Sequence, residues 1–341
     1  MVAMQVLITG ATGFVGSHAA RAARAAGHEV RVLVRNPDKL AALLGPDIVN
    51  PDHVVVGDMA DAAAVASALE GCDSCIHAAA AVGVSSAAHG VDKNIDGTRA
   101  VLGQAVAAGC DPIIYTSTVG IFVPSPEPVI TSSSPLADPR SAYGRSKIGT
   151  EHYVRGLEDS GAPVVVFYPG AVTGPEQPVL DSNMEGIAES LRQGLPVCRS
   201  GGLSVLDVRD LADALVAALQ PGLGPRRFMA GGHFFDWASY GELLASVSGH
   251  DLRRFPISAR GLRAVGATLD GLRRIRPIDW PINRESTAFM TTMTATDDSA
   301  LRHQLGIELR PATETIGDAI SWLVEAGHLD ARFAPALVGR A

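Results

Sequence analysis

The stretch 143-YGRSK-147 sets a tyrosine four residues before a lysine. In a helix that spacing puts both side chains on one face. A phenol beside an ammonium ionises more readily than a free one, because the opposite charge favours the anion. Tyr143 could then give a proton to a carbonyl oxygen, or take one from an alcohol, near neutral pH. Upstream, 112-PIIYTSTVG-120 ends an apolar run in three hydroxyl residues, and Thr118 stands 25 residues before Tyr143. A hydroxyl there could hold a substrate oxygen during the reaction. Ser117 is the fallback if the register slips by one. Taken alone, a Tyr-x-x-x-Lys spacing is common and mostly marks a helix surface.

A second cluster lies near the start, in 5-QVLITGATGFVGSHAARAARAAGHEVRVLVRNPDK-39. Gly10, Gly13 and Gly16 follow an apolar run and open an alanine-rich helical stretch. A helix N-terminus offers free N–H groups and the positive end of a dipole to a phosphate. The approach requires that no Cβ intervene. Gly10 permits the tight turn, Gly13 lets the backbone reach a pyrophosphate, and Gly16 lets the helix lie close on the sheet. In this context, strand before and helix after, the pattern points to a dinucleotide. The bland alternative is a glycine-rich turn without a ligand.

Which dinucleotide is a matter of Arg35. An NAD site usually ends its second strand with an acid that holds the ribose diol. Here Val34 and Arg35 occupy that end, and a guanidinium suits a 2′-phosphate by bidentate pairing. NADP is therefore expected. The alternative is a surface arginine beside an NAD site that manages without its acid.

These groups need a scaffold, and short apolar runs supply it. Strands are predicted at 5–9, 29–34, 53–56, 74–78, 112–116 and 163–168, with a seventh at 226–230. Helical stretches, for example 15–26, 60–70, 94–108 and 142–160, separate them. Near-continuous Val/Ile runs imply strands covered on both faces. The alternation implies an α/β fold, a Rossmann-type doubly wound parallel sheet. Beyond about residue 170, Gly and Pro become frequent and the alternation fades. Residues 1–170 are expected to form the dinucleotide-binding core. Residues 171–341 should be mainly a smaller C-terminal substrate lobe, with segments near 203–232 returning to the core. The segment 124-PSPEPVITSSSP-135 reads as an ordinary loop. The amphipathic, basic stretch 257–275 reads as a lobe helix covering a pocket, with a membrane-surface helix as the alternative.

Composition excludes several classes. The 341-residue chain is 47% apolar, enough for a large core, and its net charge of -8 argues against a nucleic-acid surface. No apolar run reaches the length of a membrane span. No charged-then-apolar leader precedes the first strand, so no secretory signal is expected. Cys72 and Cys75 form a lone CxxC without a second ligand pair, so reduced, packed thiols are expected rather than metal, in a cytoplasmic protein.

With these motifs in chain order, the sequence resembles the extended short-chain dehydrogenase/reductase superfamily. The resemblance runs through TGATGFVG at 9–16, VVVGDMAD at 54–61, CIHAAA at 75–80, NIDGTRAVLGQAVAAGC at 94–110, IIYTSTVG at 113–120, YGRSK at 143–147, FYPGAVTGP at 167–175 and LDVRDLADALVAAL at 206–219. It continues in the tail at 297–323. It implies Thr118, Tyr143 and Lys147 as catalytic residues, with Tyr143 as acid/base and Lys147 also binding the nicotinamide ribose. It implies further coenzyme contacts from Gly10, Thr12, Gly13, Phe14, Val15, Gly16, Arg35, Asp58, Met59, Ala78, Ala79, Ala80, Pro169 and Val172, with Asn94 in support. It also implies pro-S hydride delivery and a homodimer.

Within the superfamily, nucleotide-sugar epimerases and dehydratases usually carry Arg-Pro after the sixth strand. This chain has Tyr168-Pro169, and Val119-Gly120 follow Thr118 where dehydratases often place acids. The closer resemblance is to the dihydroflavonol 4-reductase-like and 3β-hydroxysteroid dehydrogenase-like branch. That implies an NADP(H)-dependent oxidoreductase acting on a carbonyl or secondary alcohol of a small, fairly apolar substrate. Aromatics in 233-HFFDWASY-240 and 280-WPINRESTAFM-290 could line its pocket or fill the lobe core. A nucleotide-sugar epimerase or dehydratase is the runner-up, since Arg199 and Arg209 stand where diphosphate contacts occur, although Arg209 reads better as a salt-bridged structural residue. A catalytically inactive NADP-binding sensor is the third reading, and it predicts loss of Tyr143 or Lys147.

Overall fold

The computed structural model describes residues 2–79, 88–139, 142–273, 275–276 and 282–337, with residues 88–94 and 142–143 described by backbone alone. Strands β1 (Gln5–Thr9), β2 (Glu29–Val34), β3 (Val54–Val56), β4 (Ser74–His77) and β5 (Ile113–Thr116) alternate with helices α1 (Phe14–Ala25), α2 (Pro37–Leu43), α3 (Ala62–Leu69) and α4 (Ala88–Ala107). Then come β6 (Val129–Ile130), α5 (Ala142–Asp159) and β7 (Val164–Pro169). The rest runs β8 (Ala171–Thr173), α6 (Ser182–Gln193), β9 (Leu195–Cys198), β10 (Leu203–Asp207), α7 (Val208–Ala217), β11 (Arg226–Ala230), β12 (His233–Phe235) and α8 (Trp237–Ser248). It finishes with β13 (Arg254–Ile257), α9 (Ala259–Arg273), α10 (Arg284–Thr292), β14 (Ala295–Thr296), α11 (Ser299–Leu305) and α12 (Ala312–Glu325).

Seven strands form one parallel sheet in the order β11-β7-β5-β4-β1-β2-β3. The side-chain period of two decides what covers it. Val6 and Ile8 pack with α1, α7 and α11 on one face, while Leu7 packs with α3, α4 and α5 on the other. Both faces are dry, so the strands carry continuous apolar runs. The chain winds outward through β1, β2 and β3, then returns to β4 on the other side of β1. That reversal opens a crevice at the carboxyl ends of β1 and β4, where open α/β sheets bind ligands.

The predicted strands agree with the observed ones to within one residue, and the seventh, β11, closes the sheet edge beside β7. Within the first 170 residues, β6 and α2 were not visible. The stretch 124–135, expected as a loop, contains β6, which pairs in parallel with β14. Two residues are too few to show a period. Asn36 caps α2 by accepting a hydrogen bond from Lys39 N at 3.0 Å.

Residues beyond β7 build a second core. Met184, Leu191, Trp237, Tyr240, Leu244, Ile316 and Ile320 bring α6, α8 and α12 together against β9. β8, β10 and β12 form a three-stranded sheet, and β9 pairs with β13. The four cysteines are buried thiols, and no metal-binding group of side chains occurs among the described residues. No helix there is long and apolar enough to cross a membrane.

Candidate active site

The first βα turn sits at the switch point. Gly10 has φ +81°, and a Cβ on it would lie 2.7 Å from Ala79 N, at the end of β4. A Cβ on Gly16 would lie 2.5 Å from the Gly10 carbonyl carbon. Backbone meets backbone at both points, so neither position has room for a side chain. Gly13 is the N-cap of α1, which has no side-chain cap and no acid in its first turn. The leading N–H groups at Phe14 and Val15 are thus left for an anion, and the dipole adds to their pull. Thr12, Phe14 and Val15 are half-buried around this turn. The cradle fits a pyrophosphate.

Arg35 follows β2 directly and is exposed, without a hydrogen bond or ion pair among the described residues. Asp58, after β3, accepts a hydrogen bond from Ala60 N at 2.9 Å. Met59 packs beneath α4, where Gly97 leaves room for it: a Cβ there would lie 2.8 Å from Met59 Cγ. Ala78 and Ala79 continue β4, and Ala78 N bonds to Thr9 O at 3.3 Å. Pro169 ends β7, and Val172 lies in β8, half-buried against the core. Ala80 and the side chains of Asn94 and Tyr143 lie outside the described residues. Tyr143 is the second residue of α5, one helical turn before Lys147.

Lys147 is buried, and burial pushes its ammonium down to about 8. Thr118 Oγ1 accepts a hydrogen bond from Gly120 N at 3.1 Å, capping the short turn Val119–Phe122. Its own O–H is not used in that contact, and has no acceptor among the described residues. Ser117 is more deeply buried, and its Oγ has no hydrogen-bond partner among the described residues. The structure therefore keeps both hydroxyls beside the end of β5.

Sequence reading passed over His77, although the quoted CIHAAA contains it. This last residue of β4 is fully buried, with Nδ1 2.7 Å from Thr9 Oγ1 and Nε2 3.0 Å from Thr98 Oγ1 on α4. Its ring stacks on Tyr115 at 5.8 Å. Burial first, and then the charge of Lys147, push its pKa down to about 3. The imidazole is neutral, and it spans from the strand before Gly10 to the helix over Met59. A polar residue inside an apolar strand was the available signal.

Two further sequence readings find physical answers. Tyr168, in place of the usual arginine, donates from its hydroxyl to Glu151 Oε1 at 2.8 Å. Arg209 is engaged by two acids: it pairs with Asp207 at 2.7 Å and Asp318 at 2.8 Å. The lobe aromatics divide. Trp237 and Tyr240 fill the lobe core. Phe289 on α10 instead reaches the site, with its ring edge 3.9 Å from where a Cβ of Gly120 would be. Arg199 lines a separate cleft of about 410 Å³ within the lobe, with Cys198, Pro256 and Ile257.

A glycine cradle at the switch point and a buried lysine one turn beyond a tyrosine put the chain in the class of extended short-chain dehydrogenases/reductases. The chain belongs to the NAD dependent epimerase/dehydratase family, which residues 6–231 match. Family members are NAD(P)-dependent oxidoreductases, epimerases and dehydratases. Sterol demethylase protein B of Methylococcus capsulatus is 27% identical over 96% of this chain and 100% of its own length. A putative dihydroflavonol 4-reductase of Synechocystis is 26% identical, covering 94% of this chain and 95% of that one. A UDP-glucose-4-epimerase from Stenotrophomonas maltophila, solved with NAD and a formylated UDP-arabinopyranose, superposes with a TM-score of 0.73. It is 19% identical, covers 95% of this chain and 99% of its own, and shows the shared fold.

Proposed function

We propose that this chain is an NADP(H)-dependent oxidoreductase interconverting a carbonyl and a secondary alcohol on a small, fairly apolar substrate. One observation carries the reading. Lys147 is a buried cation one turn past Tyr143, close enough to His77 at the crevice to depress its pKa. Buried lysines are rare, and one whose ionisation is perturbed is a candidate functional residue.

The glycine cradle and the first N–H groups of α1 would hold the pyrophosphate, and Arg35 the 2′-phosphate. Bound there, the coenzyme supplies or accepts hydride. Tyr143 gives the carbonyl oxygen its proton, and takes one from the alcohol in the reverse direction. Lys147 stabilises the phenolate that proton transfer leaves. The Thr118 hydroxyl, its oxygen fixed by Gly120 N, donates to the substrate oxygen and orients it. We read 1–170 with segments near 203–232 as the coenzyme-binding core and the rest of 171–341 as the substrate lobe.

An apolar substrate is supported by Phe289 beside Gly120, and by the names of the two relatives, one a sterol demethylase protein and one a putative dihydroflavonol 4-reductase. The nucleotide-sugar reading is weakened because the ion pairs of Arg209 already engage it. The test is a panel of steroids, aryl ketones and UDP-sugars followed by NADPH absorbance, with Tyr143→Phe beside the wild type. Tyr143→Phe should still bind NADPH and lose turnover by roughly 100-fold or more. Undiminished turnover would end this assignment of Tyr143. Conversion of a UDP-sugar without net NADPH consumption would favour the epimerase.

A further inference from the structure

The outer face of α9 is unlike that of an ordinary solvated helix. Its inner face packs on α10 through Leu262 and Gly266, where a Cβ on Gly266 would lie 2.5 Å from Asn283 O. At 100° per residue, the opposite face presents Arg260, Ala264, Thr268 and Gly271, with Val265 and Leu272 along one side of it, all exposed. Val265 is 38% exposed and Leu272 45%. Just past the helix Ile275 is 86% exposed, and Phe255 on the preceding strand 38%.

The segment around this face is rich in arginine. Residues 253–276 contain seven arginines against one aspartate, in a chain whose net charge is -8. Arg253, Arg260 and Arg276 are exposed and make no ion pair among the described residues. A basic segment on a negative protein calls for a negative partner, and the exposed apolar side chains in the same segment call for one with a hydrocarbon layer. We propose that α9 and Phe255 dock the protein in the plane of an anionic lipid surface. Val265, Leu272, Ile275 and Phe255 enter the headgroup–acyl boundary, and the arginines pair with lipid phosphates. The proposal does not rest on the catalytic reading, because binding is measured without turnover.

The experiment is co-sedimentation of the full chain with vesicles of phosphatidylcholine, with and without about one-third phosphatidylglycerol, at low and high salt. Binding to the anionic vesicles should exceed that to the neutral ones by roughly tenfold, and fall in high salt. Leu272→Glu with Ile275→Glu, and separately Arg260→Glu with Arg276→Glu, should each lose most of it. These side chains are exposed, so melting temperature and NADPH binding should stay as in the wild type. Equal binding to both vesicle types, or full binding by both variants, overturns the proposal. So does a Leu272→Glu, Ile275→Glu protein that changes oligomeric state while vesicle binding is unaltered, since that gives the face to a second copy.

Discussion

Thr9 and His77 are register partners across β1 and β4, and their side chains meet, with Thr9 Oγ1 2.7 Å from His77 Nδ1. Thr98 holds the other nitrogen, and it is burial, with the charge of Lys147 behind it, that opposes a second proton on the ring. The residue links the turn that holds Gly10 to the helix over Met59, in surroundings that favour its neutral form.

A pH dependence follows. The unfolded chain protonates this imidazole near 6.5, whereas the fold refuses the proton until about 3. Stability tied to His77 is fully present above 6.5 and is lost as pH falls toward 3. Urea unfolding at pH 7 and pH 5 should show the wild type losing about 2 kcal/mol more than His77→Asn between the two. Equal losses would mean that the ring titrates freely in the fold.

Lys147 gives a kinetic prediction. Its ammonium, pushed down to about 8, is the active form, so its contribution is present below that pH and lost above it. For carbonyl reduction, kcat/KM should decline through that region. Lys147→Arg keeps the cation, so its alkaline limb should move upward even if the maximal rate is lower. A limb that stays in place assigns the decline to another group.

Much of this site was legible because its parts are local. The glycine turn, the Tyr-x-x-x-Lys spacing and the Val/Ile strands each sit within a few residues, and chain order joined them. The His77 bridge was not, because its partners lie 68 and 21 residues away and only strand pairing brings them together. The pairing of β6 with β14 was hidden for the same reason. Arg209 reads as structural because acids flank it in sequence, and Asp207 is indeed one of its partners. The lobe aromatics could not be sorted, since no pattern distinguishes Phe289 at the site from Trp237 in a core.

Arg35 offers the most direct check on the coenzyme. It is exposed and unpaired among the described residues, at the end of β2. Removing a charge-assisted contact to a phosphate should weaken NADPH binding by roughly 10- to 100-fold. Arg35→Ser should therefore raise the NADPH dissociation constant by that factor and leave NADH nearly unchanged, as read by fluorescence titration. Equal effects on the two coenzymes would place the arginine elsewhere in the site.

The approach of Gly16 to Gly10 predicts a stricter outcome. A methyl group there meets backbone, which cannot swing aside as a side chain could. Gly16→Ala should shift the turn and cost about 1–3 kcal/mol of stability. Coenzyme affinity should fall as well, because the displaced N–H groups no longer converge. Gly27→Ala makes a useful control: nothing lies within 4 Å of its Cβ, though its φ of +88° strains any side chain. It should lose stability without losing coenzyme affinity. Loss of affinity in both would point to general destabilisation instead.

Tyr168 supplies the last test, and it concerns what a tyrosine does at the position where sugar epimerases and dehydratases usually carry arginine. Glu151 is fully buried on α5, one turn beyond Lys147. Its Oε1 accepts from Tyr168 OH at 2.8 Å and from Arg155 Nε at 2.9 Å, while Oε2 has no partner among the described residues. The phenol is raised well above its usual range, by burial and by this carboxylate, so it stays protonated and acts as a donor. Tyr168→Phe keeps the ring and its edge-on contact with Phe122 but takes the donor away. A buried acceptor that loses a charge-assisted partner costs about 1.5–3 kcal/mol. Urea unfolding should register that loss. Because Glu151 shares α5 with Tyr143 and Lys147, kcat should fall more than NADPH affinity. A Phe variant as stable as the wild type would show that Arg155 alone satisfies the carboxylate, and that the tyrosine serves only to pack against Phe122.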